Sequence, residues 1–169
     1  TREVREVISY LKIKGCFLNF KDGAIPPPSD LGALKKIIEL IRYHRPRVVI
    51  THHFREAHVD HQNLSRLAFQ AFYLSGNKGV RTASAPFKPE ILAWWDERGI
   101  GFEPNCYLNV QATIDAFEQG KLTYHSQRNR IVGQLPKIKA RMKAIRTPYH
   151  FVECFQIVNL EMERDWSGE

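Results

Sequence analysis

The feature that most constrains the fold is Val48-Val49-Ile50, a continuous apolar run set between two segments of helical periodicity. Before it, Leu31, Leu34, Ile37, Ile38 and Ile41 recur at the spacing of one helix face, Ser29 or Asp30 can cap that helix, and Pro46 ends it. After it, Leu64, Leu67, Ala68, Ala71 and Leu74 mark the inner face of a helix from about Asp60 to Leu74, and Asp60 suits the positive end of the helix dipole. A strand that is apolar at consecutive rather than alternating positions predicts a buried, parallel strand covered by helices on both faces. Helix, strand, helix, strand is the order of an α/β fold.

The rest of the chain extends the pattern. Val4, Val7, Ile8 and Leu11 predict a first helix, Cys16 to Phe20 a short strand, and Lys21-Asp22-Gly23 a turn, before Pro26-Pro27-Pro28 forbids regular structure. Ser75 to Pro89 reads as a polar loop. Strands are expected at Ile91–Trp95, at Cys106–Val110 and at Phe155–Val158. Helices are expected from about Thr113 to Tyr124 and from Ser126 to Ile145. With 169 residues, 43% of them hydrophobic, the chain can bury a substantial core, and residues 1–169 read as a single domain.

Several function classes drop out. No stretch approaches the roughly 20 apolar residues of a membrane-spanning helix. Cys16, Cys106 and Cys154 are too scattered for a paired-thiol metal site or a disulfide framework, which points to a reducing, cytoplasmic setting. The net charge of +7 is spread out, with enrichment only between Lys121 and Arg146 and no aromatics interleaved there, so no nucleic-acid partner is expected. A homo-oligomer is left open. The chain opens on a helical pattern without an initiator Met or an apolar signal core, so it is expected to begin in mid-protein.

In open α/β sheets ligands sit beyond the carboxyl ends of strands, and Val48-Val49-Ile50 runs directly into a segment holding four of the seven histidines, His52, His53, His58 and His61. His58 and His61, three positions apart, can share one face of a helical turn, and Asp60 between them can support an imidazole by hydrogen bonding. That is the pattern of a metal ligand with an outer partner. Metallo-β-lactamase-like hydrolases carry a related His-x-His-x-Asp-His run, but Glu56 stands where their first His would be, which removes a ligand.

The succession Lys21-Asp22-Gly23, Arg45-Pro46-Arg47-Val48-Val49-Ile50-Thr51, His58-Val59-Asp60-His61, Tyr124-His125-Ser126-Gln127 and Val152-Glu153-Cys154-Phe155 resembles, in order and approximate spacing, the PIG-L/LmbE-type N-acetylglucosaminyl deacetylases. The likeness covers nearly the whole chain, with Val59 in place of the family's usual Pro. It implies a Rossmann-like three-layer sandwich with a mostly parallel sheet, whose first strand unit is missing from this sequence. It also implies a small-molecule substrate, an acetylated amino sugar, and a zinc ion (Zn2+) as cofactor.

By the same resemblance His61 is a zinc ligand, and His58, oriented by Asp60, stabilises the developing oxyanion, where a protonated imidazole is a charge-assisted donor. Zinc would lower the pKa of a bound water toward about 7 and polarise the acyl carbonyl. From the residues themselves, His53, directly after the strand, can line the substrate pocket or be an ordinary polar loop residue, and Arg55 can contact a sugar hydroxyl or an anionic aglycone or stand as a solvated charge. Trp94 or Trp95 can stack on a sugar, although one of two successive strand residues should point inward. Ser126 and Gln127 read as helix-capping residues, and Tyr149 as a core or surface residue.

The family's first zinc motif, Ala-His-Pro-Asp-Asp-Glu, is absent from these 169 residues. Catalytic zinc takes three protein ligands and a water, so a chain supplying only His61 is expected to be inactive alone. The competing expectations are a sugar-binding or scaffold remnant of the same fold, a metallo-β-lactamase-like hydrolase, and a basic nucleic-acid binder.

Overall fold

Asp30 rather than Ser29 starts the first long helix: its Oδ1 accepts the Ala33 N–H at 2.9 Å, as an N-cap should. The computed structural model describes residues 2–95, 101–124, 126 and 136–160. In chain order the elements are α1 (Arg2–Tyr10), α2 (Leu31–His44), β1 (Val48–His52), α3 (Val59–Leu74), β2 (Ile91–Trp95), β3 (Cys106–Asn109), α4 (Ile114–Leu122), α5 (Pro136–Lys143), a short 3-10 turn (Ala144–Arg146) and β4 (Val152–Leu160). The fold is α/β, with helices flanking a four-stranded sheet ordered β1-β2-β4-β3. The sheet is not purely parallel. β1 and β2 run parallel, with Thr51 beside Trp94, whereas β4 is antiparallel to β2, with Gln156 beside Trp94.

The chain divides into two compact units. One comprises residues 18–106 and 155–169, the other residues 1–17 and 107–154. In the first, α2 and α3 pack through Leu34, Ile37, Ile38, Ile41, Leu67 and Ala71, with Val49 of β1 against them. Full burial of each Leu or Ile in such a seam contributes about 1.5–3 kcal/mol. In the second, Val7, Ile114, Ala140, Ala144 and Val152 are buried, Ser126 donates its N–H and Oγ–H to Glu3, and Lys143 pairs with Glu153.

Two expectations for the strands are corrected. Cys16 to Phe20 forms no strand: Asn19 adopts a left-handed φ of 55°, which breaks extension, and Leu18 and Phe20 turn their side chains onto the α2–α3 core instead. β1 is not covered on both faces. Among the described residues it is an edge of the sheet, and Val48 and Ile50 are 45% and 55% exposed, while the alternate residues Val49 and Thr51 face the helices. The expected helix from Ser126 to Ile145 is described only from Pro136, and residues 127–135 lie outside the described residues.

The polar segment after α3 is fixed from within. Arg42, 2% exposed, donates to the carbonyl oxygens of Ser75, Asn77 and Val80 and to Thr82 Oγ1, at 2.7–2.8 Å. A planar guanidinium suits this task because its donors diverge in a rigid fork. Glu39, one turn earlier on α2, takes the N–H and hydroxyl of Ser84.

Candidate functional site

β1 ends in Thr51-His52, and the chain then makes a short loop into α3, so the histidine-rich segment lies where strand and helix meet. His58 is the N-cap of α3. Its Nδ1 accepts the Asp60 N–H at 3.2 Å, one of the helix-start donors that would otherwise lack a partner. An acceptor nitrogen carries no proton, so in the neutral ring the proton resides on Nε2, which makes that nitrogen a donor.

His61 has the opposite arrangement. Its Nδ1 lies 2.7 Å from Oε2 of Glu56, a carboxylate only 5% exposed, while the His61 ring is 40% exposed. A carboxylate oxygen and a ring nitrogen approach this closely only with a proton between them, so Nδ1 is protonated and the neutral ring carries its lone pair on Nε2. The same Glu56 oxygen accepts the His58 N–H at 3.0 Å, and the Glu56 carbonyl accepts from Gln62 Nε2 at 2.8 Å. Two adjacent imidazoles are thus set in complementary tautomers. His61 offers a lone pair and His58 an N–H. The His52 ring stacks on His61 at 4.0 Å with 6° between planes, and the His58 ring centroid is 4.9 Å away.

The Asp60 carboxylate acts elsewhere than on the His58 ring. Its Oδ2 accepts the Gly23 N–H at 2.7 Å and its Oδ1 the Ile25 N–H at 3.1 Å, so this buried carboxylate ties the Lys21-Asp22-Gly23 turn to the start of α3. The turn closes with Ala24 N–H on Lys21 O, and Gly23 sits at φ 74°, a conformation that favours glycine. The link from Asp60 to His58 runs through the Asp60 backbone N–H.

The other candidates separate. His53 is 1% exposed and packs its ring against Phe54, Trp94 and Phe102. Arg55 is exposed, with its guanidinium 5.3 Å from the Phe54 ring centre. Tyr149 is 45% exposed. Trp94 sits against Phe54 and Phe69, and Trp95 against His52. His125 and Gln127 lie outside the described residues. Glu56 is the residue that sequence reasoning passed over. Its signal was an acidic side chain two positions before His58 and five before His61, in a loop short enough to fold back on both.

The donor set fits zinc in kind but not in number. Among the described residues, no group of three His, Cys, Asp or Glu side chains could hold a metal ion. His61 Nε2, backed by a buried carboxylate, has the form of one ligand, and a catalytic zinc ion takes three from protein. No described helix is long and apolar enough to cross a membrane.

Residues 1–72 match the PIG-L family profile, described as GlcNAc-PI de-N-acetylase, and this span includes the Lys21-Asp22-Gly23 turn and His58-Val59-Asp60-His61. Among solved structures, the chain is similar to the conserved protein TT1542 from Thermus thermophilus, with 28% identity and a TM-score of 0.82 over 99% of this chain and 76% of that one. It is also similar to GalB, the 4-carboxy-2-hydroxymuconate hydratase from Pseudomonas putida, with 14% identity and a TM-score of 0.82 over 95% and 71%. A third is the N,N'-diacetylchitobiose deacetylase from Pyrococcus horikoshii complexed with its inhibitor MPG, with 17% identity and a TM-score of 0.73 over 94% and 62%. The last two, at such low identity, show the fold alone. No curated protein matches the chain.

Proposed function

From a chain whose first 72 residues carry the PIG-L family signature, we propose a zinc-dependent hydrolase that removes the acetyl group from an N-acetylglucosamine-containing small molecule. The observation that carries this reading is the pair of complementary tautomers. An amide hydrolase needs a lone-pair donor for its metal and an N–H aimed at the oxygen that becomes negative as the carbonyl is attacked. His61, with Glu56 behind it, supplies the first. His58, with Nδ1 occupied by the Asp60 N–H, supplies the second through Nε2. Asp60 positions His58 through the backbone and holds the Gly23 turn beside it. His53 and Arg55 contribute to substrate binding in this proposal, His53 by shaping the aromatic floor behind the loop and Arg55 from solvent. The remaining zinc ligands are not among the described residues, so the 169-residue chain alone is proposed to hold zinc weakly and to be inactive.

Acetate release from N-acetylglucosamine conjugates by the native protein tests the proposal. Release that stops with a chelator and returns with zinc is the expected result. A native protein that holds no zinc and releases no acetate from any such conjugate overturns it and favours a sugar-binding or scaffold protein of the same fold.

A further inference from the structure

We propose that the hollow between α3 and the carboxyl end of β2 binds a small ligand with a flat apolar body and a carboxylate. The cavity, about 340 Å³, is walled by the rings of Phe54, Phe69 and Trp94 and edged by Ser65, Arg66 and Gln70. Such a volume suits a compact organic molecule, and three rings around it suit a planar one.

Two of its polar lining groups lack hydrogen-bond partners among the described residues. Ser65 is 1% exposed, and its Oγ is buried with no hydrogen bond; Trp94 Nε1 is in the same condition. Thr51 and Gln156 flank Trp94 in register across the sheet, and register partners share a face. Thr51 Oγ1 and Gln156 Oε1 are likewise buried and unpartnered. Unpartnered buried polar atoms cost stability unless something completes them, and of these four residues Ser65 and Trp94 line the cavity, where a ligand can be that partner.

The chemistry of the lining selects an acceptor. Trp94 Nε1 only donates, Ser65 Oγ can donate, and Arg66 brings a fixed positive charge with no acidic partner among the described residues. A carboxylate is the one group whose chemistry suits all three. The cavity uses neither His58 nor His61, and it shares with the hydrolase proposal only the Phe54 and Trp94 rings that pack near His53.

The test is titration of the full chain with sodium benzoate, followed through the Trp94 indole N–H in ¹H–¹⁵N spectra and assigned by its loss in Trp94→Phe. A saturable shift of that signal is expected, with half-saturation on the order of 1 mM for so small a fragment. Arg66→Ala, an exposed change that leaves the core alone, is expected to raise half-saturation about tenfold, as is replacing benzoate with benzyl alcohol, which keeps the ring and loses the charge. An indole signal that does not respond, its hydrogen bond taken by trapped water, overturns the proposal. So does a response that Arg66→Ala leaves unchanged, or one that benzyl alcohol reproduces at the same concentration.

Discussion

Oε2 of Glu56 lies 2.7 Å from Nδ1 of His61, a buried carboxylate set behind a half-exposed imidazole. This pairing fixes which nitrogen of His61 faces outward, and it explains why an acidic residue stands at position 56. Histidines that bind metals almost always give their other N–H to such a partner, which orients the ring and raises its basicity.

Replacing Glu56 by Leu in the native protein is expected to weaken zinc binding about 10–100-fold. Glu56→Gln keeps an acceptor oxygen and is expected to lose less. Competition against a chromophoric chelator measures both. Zinc affinities equal to wild type in both variants would contradict the supporting role of Glu56 behind His61.

Asp60→Ala removes the acceptors of the Gly23 and Ile25 amides. The protein is expected to lose about 3 kcal/mol, the combined effect of two hydrogen bonds to a charged, buried group. Hydrogen exchange should locate the loss, with the Gly23 and Ile25 amides exchanging faster while α2 amides keep their order of protection. Unchanged exchange at those two amides contradicts the anchoring role.

Arg42→Met leaves the carbonyls of Ser75, Asn77 and Val80 without their donor and is expected to destabilise by about 3 kcal/mol or more in urea unfolding. Arg42→Lys is not expected to rescue it, because one ammonium on a flexible stem cannot serve three divergent acceptors. A Lys variant as stable as wild type would show that the fork geometry is not needed.

The α/β fold was legible because long amphipathic stripes and a continuous apolar strand are strong local signals, and α2, β1, α3 and β2 formed where those signals lay. Cys16 to Phe20 misled because a strand needs a neighbour as well as a suitable sequence; with Asn19 left-handed, its apolar residues found the helix core instead. The His58–His61 run was legible from spacing. What spacing did not reveal was the division of labour within it, since the tautomers depend on Glu56 folding back and on Asp60 reaching 37 residues upstream to Gly23.

Acid should loosen the segment after α3 before the core. The Ser84 hydroxyl and N–H hold the Glu39 carboxyl below its ordinary value of 4.5. A carboxylate with a lowered folded pKa contributes stability that is present above the unfolded value and is lost as pH falls through the folded one. The Ser84 amide is therefore expected to lose protection below about pH 4.5 in wild type, and Glu39→Gln is expected to flatten that pH dependence. A profile identical in the two proteins contradicts the assignment.

The most direct test of the hydrolase reading is a single comparison on native His58→Ala protein: zinc content against the rate of acetate release from an N-acetylglucosamine conjugate. His58 as an oxyanion donor predicts a rate lower by roughly 10²–10³-fold with zinc retained. Equal loss of zinc and rate, or a rate that does not change, would contradict the division of roles between His58 and His61.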